Sequence, residues 1–290
     1  MVNISIVVPV FNEERGLKKA AGQMNELLKR ANSESEVIFV DDGSTDGSFG
    51  ILESFNNRQF RIIRHEVNKG YGAALKTGIK NAKYEHIVIT DADCTYPTEK
   101  IPELVEVYEN GGYDMVVGAR KGKNVRIPLI RKPAKWLLKH LAEYLVGQKI
   151  PDLNSGLRVM RKEAIEKFIN ILPNGFSFTI TITVAMLTNN HSVKYVNVNY
   201  KYRRGNSKIR PIYDTINFIQ LILRTTLYFN PLKIFVPLSL FLVILAFVVL
   251  FASWQILGKA FDVSFGVILM TAVIVLAIGM LADLIDKRMR

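Results

Sequence analysis

The chain has 290 residues and a formal net charge of +12, from 38 Lys and Arg against 26 Asp and Glu. With 49% hydrophobic residues and a mean hydropathy of +0.16, it is too apolar and too aromatic for a disordered chain. Its one cysteine, Cys94, excludes an intramolecular disulfide framework and a cysteine-rich zinc module, and fits a reducing, cytoplasm-facing location.

Met1 to Val10 carries no basic n-region, so it reads as a strand and not as a signal peptide. Its apolar, β-branched run from Ile4 to Val10 predicts a buried strand. Helix is predicted over Glu14–Arg30, strand over Glu36–Asp42 and helix over Asp46–Phe55. A strand follows at Phe60–His65, a helix at Tyr71–Lys83 and a strand at His86–Thr90. Glu99–Asn110 reads as helix and Tyr113–Gly118 as strand. Strands alternating with helices at this spacing predict an α/β domain with a mostly parallel sheet. Ligands of such sheets bind beyond the carboxyl ends of the strands, where the short polar motifs of this chain fall.

Arg120 to Lys149 holds nine Lys or Arg residues and one acid, Glu143. Trp136, Leu137, Leu141, Tyr144 and Leu145 recur there at helical spacing, with Lys132, Lys135 and Lys139 elsewhere around the turn. This pattern predicts a basic amphipathic helix of the type that lies on an anionic membrane surface. Val193–Tyr202 reads as a strand, and Ile212–Phe229 as a second, mostly apolar interface helix.

Two uncharged runs end the chain, Ile234–Leu257 with 24 residues and Val263–Ala282 with 20. At ~1.5 Å per residue each is long enough for a hydrocarbon core of roughly 30 Å. Lys287, Arg288 and Arg290 follow the second run, Lys233 precedes the first, and the turn between has only Lys259. Both termini are therefore expected on the cytoplasmic side of an integral membrane protein. The expected division is a cytoplasmic domain at 1–210, a juxtamembrane helix at 211–230, and a two-helix transmembrane hairpin at 231–290 (spans at about 234–257 and 263–282).

Asp91-Ala92-Asp93 carries the sharpest chemical signal. Residues i and i+2 of an extended segment point to one side, so two carboxylates converge beyond the apolar strand. Anions that close repel unless a cation lies between them, and a hard divalent ion such as Mg²⁺ or Mn²⁺ suits oxygen ligands. Asp41 or Asp42, in Val40-Asp41-Asp42-Gly43-Ser44-Thr45-Asp46-Gly47, stands where a carboxylate can meet a ribose or base edge. Taken alone, that segment is also an ordinary capped turn. Asn68-Lys69-Gly70-Tyr71-Gly72 precedes a helix, where glycines serve either an anion or a close packing contact. Neither G-x-G-x-x-G nor a P-loop is present. Arg203-Arg204-Gly205-Asn206-Ser207-Lys208 suits a pyrophosphate clamp or a juxtamembrane basic loop. The four histidines are scattered, which argues against zinc, and no nucleic-acid motif accompanies the positive charge.

In order along the chain stand Ile6-Val7-Val8-Pro9-Val10-Phe11-Asn12-Glu13-Glu14, Val40-Asp41-Asp42-Gly43-Ser44, Asn68-Lys69-Gly70, Asp91-Ala92-Asp93, Asn154-Ser155-Gly156-Leu157-Arg158 and Arg204-Gly205-Asn206-Ser207-Lys208. Over about residues 4 to 210 the chain resembles the inverting, GT-A-fold family 2 glycosyltransferases of the dolichyl-phosphate mannose synthase and polyprenyl-phosphate glucosyltransferase group. The resemblance implies a GT-A domain before the membrane hairpin, a Mg²⁺ or Mn²⁺ cofactor and a nucleotide-sugar donor, GDP-mannose or UDP-glucose. It implies a dolichyl or polyprenyl phosphate as acceptor. Residue by residue, Pro9, Phe11, Glu13 and Asp41 resemble the nucleotide-binding set, with Phe11 against the base. Asp93 resembles the metal ligand and Asp91 the acid nearer the sugar, with Ala92 between them. Arg204, with Ser207 and Lys208, resembles the group closing on the diphosphate. Arg120 and one of Arg126, Arg131 or Lys135 are candidates for the acceptor phosphate.

Two positions depart from the family pattern. Thr95-Tyr96-Pro97 stands where the mannose synthases often have Gln-His-Pro, which leaves Thr95 as the oxygen on offer for a third protein ligand. Phe176–Val184 carries no acid where some relatives place one, so the donor sugar does not transfer from the resemblance. A transferase of the same fold acting on a polysaccharide or a non-phosphate lipid, and a membrane-bound scaffold, stand as alternatives. A homo-oligomer stays open, since small-xxx-small spacing in the spans is sparse.

Overall fold

A computed structural model describes residues 2–31, 34–121, 132–200, 219–220, 223–224, 227, 230–257 and 262–289. The first part runs β1 (Ile4–Val10), α1 (Glu14–Ala31), β2 (Glu36–Asp41), α2 (Ser48–Glu53), β3 (Phe60–Arg64), α3 (Tyr71–Lys80) and β4 (His86–Ile89). A 3-10 turn (Thr98–Lys100) then leads into α4 (Ile101–Gly111) and β5 (Met115–Lys121). After these come α5 (Lys132–Val146), β6 (Arg158–Arg161), α6 (Lys162–Glu166), α7 (Phe178–Thr188) and β7 (Val193–Asn199). Two long helices follow, α8 (Leu232–Leu257) and α9 (Asp262–Met289). By its contacts the chain divides into two compact units, Met1–Leu221 and Ile222–Arg290.

The seven strands of the first unit form one sheet in the order β3-β2-β1-β4-β6-β5-β7. β3, β2, β1 and β4 run parallel, as do β5 and β7. β6 is antiparallel to both of its neighbours. The sheet is thus mostly parallel, as the alternation of elements predicts.

Alternation along β1 builds the two faces. Ile4, Ile6, Val8 and Val10 join Leu17, Ala21 and Met24 of α1 and Leu104, Val105 and Tyr108 of α4 in one core. Val7 points the other way, against α3, where a β-carbon on Gly78 would lie 2.3 Å from Val7 Cγ1. Helices therefore cover both faces, which leaves the carboxyl ends of the strands as the place where polar loops gather.

β6 is one of three elements, with α6 and α7, that sequence reading does not supply. It has four residues with an arginine at each end, Arg158 and Arg161, and no apolar alternation. Its registers with Ile87–Ile89 and with Met115–Val117 hold it in the sheet. The loop before it, 152–157, is thereby brought back to the carboxyl end of β4.

In the second unit, α8 and α9 pack as a hairpin. Ser239 Oγ donates to the Ala272 carbonyl at 2.9 Å, and Gly279 lets Phe235 approach so closely that a β-carbon there would lie 2.4 Å from Phe235 Cβ. Leu232–Gln255 and Val263–Ile285 are long and apolar enough to cross a membrane. Phe241, Phe247 and Phe251 of α8 and Val267 and Met270 of α9 are exposed, an outer surface that suits lipid rather than water. The juxtamembrane expectation at 211–230 falls for the most part outside the described residues.

Candidate active site

Three loops meet at the carboxyl end of the sheet. After β1, Phe11, Asn12 and Glu13 turn away from the strand, with Asn12 in the left-handed region at φ 54°. Asn12 reaches the loop after β2: its N–H donates to Ser44 Oγ at 3.0 Å, and its Oδ1 accepts from Thr45 N at 2.8 Å. Glu13 N donates to Ser48 Oγ at 2.9 Å, and Gly47 N to Glu14 Oε2 at 3.2 Å. The loops after β1 and β2 are thus one laced structure carrying Pro9, Phe11, Glu13 and Asp41 at neighbouring strand ends.

The two acids after β2 part company. Asp42 is structural. Its Oδ1 accepts from Lys69 N and its Oδ2 from Gly70 N, at 2.9 and 2.8 Å, and Oδ1 also meets His65 Nδ1 at 2.7 Å. Asp41 is fully buried. Its Oδ1 accepts from Ser44 N at 3.3 Å, while its Oδ2 has no hydrogen-bond partner among the described residues. Arg64 Nε lies 3.4 Å from that oxygen, close enough for attraction without a bond, and the Arg64 guanidinium sits 3.9 Å above the Phe49 ring. A buried carboxylate oxygen without a hydrogen-bond donor is costly, and the Arg64 charge beside it offsets part of that cost.

The glycines before and within α3 have the packing role. A β-carbon on Gly70 would lie 2.4 Å from the Asn174 carbonyl oxygen, and one on Gly72 2.2 Å from that of Pro173. Ala73 N donates to the same Asn174 oxygen at 3.0 Å. Asp42 and the loop 173–175 therefore fill the start of α3, where an anion would otherwise have been one reading.

Beyond β4, Asp91 and Asp93 are half-buried and flank the buried Ala92. Tyr71 Oη donates to Asp91 Oδ1 at 3.0 Å, and burial, together with the Asp91 charge, pushes the Tyr71 phenol well above its ordinary pKa. Gly156 packs against the other oxygen, where a β-carbon would lie 2.8 Å from Asp91 Oδ2. Asp93 Oδ1 accepts from Thr95 N at 3.0 Å and from Thr95 Oγ1 at 2.6 Å. The Thr95 hydroxyl, the oxygen expected for a third ligand, is buried and donates to Asp93, so it supports that carboxylate. Cys94, between them, has φ 56°.

Arg120 departs from its expected role. Its Nε and Nη2 donate to Asp152 at 2.7 and 2.8 Å, and its backbone N–H to Asp152 Oδ2 at 3.0 Å. Burial works against the guanidinium's charge, but the bonds to Asp152 outweigh it and hold its pKa above the ordinary arginine range. Most of its fork is committed within the protein, so it is not held out for an acceptor phosphate. Arg126, Arg131, Arg204, Ser207 and Lys208 lie outside the described residues, as does the Lys135 side chain.

Residues that sequence reading left without a role complete the site. Arg158 is 0% exposed; its Nε donates to the Ser155 carbonyl at 2.8 Å and its Nη1 to Thr183 Oγ1 at 2.6 Å. Burial pushes its pKa down. Tyr96 Oη accepts from Gly156 N at 2.7 Å. Both hold the Asn154–Arg158 segment against Asp91. The only signal in the sequence was the motif itself.

Residues 5–169 match the model of Glycosyl transferase family 2. The undecaprenyl-phosphate 4-deoxy-4-formamido-L-arabinose transferase of Proteus mirabilis (strain HI4320) is 34% identical over 195 residues, 63% of this chain and 59% of that protein. The enzyme of the same name from Yersinia pestis (strain Pestoides F) is 34% identical over 194 residues, 62% of this chain and 58% of that one. The chain thus spans less than two thirds of the length of these curated relatives. Glucosyl-3-phosphoglycerate synthase of Mycobacterium tuberculosis, solved with Mn²⁺, UDP-glucose and phosphoglyceric acid, superposes with a TM-score of 0.61 at 21% identity, over 77% of this chain and 79% of that one. That likeness is one of fold.

Proposed function

The chain belongs to glycosyl transferase family 2, and from that footing we propose that it transfers a sugar from a nucleotide-sugar donor to a polyprenyl phosphate at a membrane surface. The observation that carries the reading is the Asp91–Asp93 pair at the carboxyl end of β4, in a chain that also has two helices of membrane-crossing length. The polyprenyl-phosphate transferases among its relatives support the acceptor class.

The acidic pair fits a hard divalent ion, Mg²⁺ or Mn²⁺. Both groups are oxygen ligands at a half-buried rim, and two hydrogen bonds from Thr95 hold the Asp93 carboxylate in place. Asp93 and Asp91 would hold such an ion, with the donor's phosphates as further oxygen ligands. Bound there, such an ion supplies positive charge to the leaving diphosphate.

Asp41 is the group for the nucleobase. Its Oδ2, which has no hydrogen-bond donor among the described residues, accepts an N–H, and Arg64 beside it can donate to a neighbouring carbonyl, a pairing offered by the edges of uracil and guanine alike. Pro9, Phe11 and Glu13 line the same strand ends, with Phe11 against the base. Asp91 stands nearer the sugar. Arg204, Ser207 and Lys208 close on the diphosphate, and Arg131 is a candidate for the acceptor phosphate. A phosphate monoester is already anionic near neutral pH, so its attack on the anomeric carbon needs no general base. One displacement inverts that carbon. In this reading residues 1–210 are the transferase, 211–230 lie along the membrane and 231–290 anchor it, with both termini on the cytoplasmic side where the basic residues cluster.

The test is transfer to polyprenyl phosphate in detergent from a panel of donors: GDP-mannose, UDP-glucose and a nucleotide carrying 4-deoxy-4-formamido-L-arabinose. Each is assayed with Mn²⁺, Mg²⁺ or chelator. A lipid-linked sugar that forms only with metal, and not with Asp93→Ala, is the expected result, and it names the donor. A folded protein that binds a donor but labels no polyprenyl phosphate overturns the acceptor and favours a polysaccharide or a non-phosphate lipid.

A further inference from the structure

Asp91 is flanked by protein on both sides. On one oxygen is the Tyr71 hydroxyl, at 3.0 Å. Against the other is Gly156, with room for no β-carbon. Tyr71 is the first residue of α3, so its backbone is set by the helix start, and its ring is set by Phe176, stacked on it at 5.5 Å between centroids and 22° between planes. Phe176 is itself 47% exposed. The segment carrying it is docked on α3 at three further points. Ala73 N donates to the Asn174 carbonyl at 3.0 Å, Lys76 Nζ donates to Asn174 Oδ1 at 3.0 Å, and Gly70 and Gly72 admit the carbonyls of 174 and 173.

We propose that Tyr71 is the positioning residue for Asp91, and that the Pro173–Phe176 segment exists to hold Tyr71 in that role. The inference rests on the transferase reading, in which Asp91 faces the donor sugar. A carboxylate anchored through one oxygen keeps one plane, and small angular errors at such a group are expensive in rate. In this role Tyr71 acts through Asp91, by its one hydrogen bond to that carboxylate, and not on the donor itself. Asp41 and the loops after β1 and β2 handle the nucleotide independently, so loss of the Tyr71 hydroxyl separates sugar handling from nucleotide handling.

The experiment uses the full chain in detergent with Mn²⁺. Titration calorimetry measures UDP, GDP, UDP-glucose and GDP-mannose, and kinetics use the donor identified by the transfer panel. Tyr71→Phe is expected to melt with the wild type and to bind the nucleoside diphosphate within about twofold of it. Its kcat falls about 10- to 100-fold, the worth of one hydrogen bond to a charged group, and the ratio of nucleotide-sugar to diphosphate affinity changes. Phe176→Leu shifts both in the same direction by less, and Phe176→Tyr, which keeps the stack, recovers the loss. If Tyr71→Phe matches the wild type in kcat and in that ratio, the inference falls and the transferase reading stands. If it loses melting temperature and diphosphate affinity together with kcat, Tyr71 is a packing residue and the inference falls. A wild type that binds none of the four nucleotides overturns the transferase reading and this inference with it.

Discussion

Asp41 shows how one side chain carries two opposed requirements. It is fully buried, yet its Oδ2 finds no donor among the described residues. If that oxygen is kept for a nucleobase, Asp41→Asn should weaken nucleoside diphosphate binding by about tenfold or more, the loss of a charge-assisted hydrogen bond worth ~1.5–3 kcal/mol. Calorimetry on the folded variant reads this directly; unchanged affinity would return Asp41 to the turn it caps. The neighbouring acid could not have been told apart in the sequence. Asp41 and Asp42 are adjacent and chemically identical, and only the position of Lys69 and Gly70 N–H groups, 27 and 28 residues away, assigns Asp42 to structure. Arg120 is opaque in the sequence for the same reason: its partner Asp152 decides what its guanidinium does, and the pairing spans 32 residues that no local pattern connects.

At the scale of elements, apolar runs and periodicity made β1 to β5 and α1 to α4 legible, because each is a local pattern answered by burial. Their ends shifted where other forces act. The 3-10 turn Thr98–Lys100 takes the start of the helix expected from Glu99, and the expected start of α2 at Asp46 moves to Ser48 as Asp46 Oδ1 accepts from Ser48 N. β6 was not legible, since a short strand held by its neighbours' register carries no period of its own. The glycines of α3 were legible as small and ambiguous as to purpose; the docked carbonyls decide for packing. Gly72→Ala should therefore destabilise the domain by ~1–3 kcal/mol through overpacking against the Pro173 carbonyl. A thermal melt of the purified variant checks it, and an unchanged midpoint would mean that the 173–175 segment yields freely.

Over the whole molecule, composition divides what the sheet and the helices do. The first unit encloses its apolar residues between two helical layers; the second leaves most of the surface of its long helices apolar. That surface is stable only in lipid or against protein. The full chain should stay in the pellet when membranes are washed with alkaline carbonate, and enter the supernatant with detergent. Release by carbonate alone would show that the hairpin does not cross a bilayer.

Asn12 and Cys94 both hold left-handed backbone conformations, at φ 54° and 56°, and each adjoins a candidate ligand-facing residue, Phe11 and Asp93. A left-handed residue other than glycine costs roughly 1–2 kcal/mol, less for Asn, against a net stability for a domain of roughly 5–15 kcal/mol. The rim of the site and the heat resistance of the protein are therefore set against each other. Relaxing either elbow would return that cost to the stability of the fold, at a place that adjoins a residue expected to meet the donor.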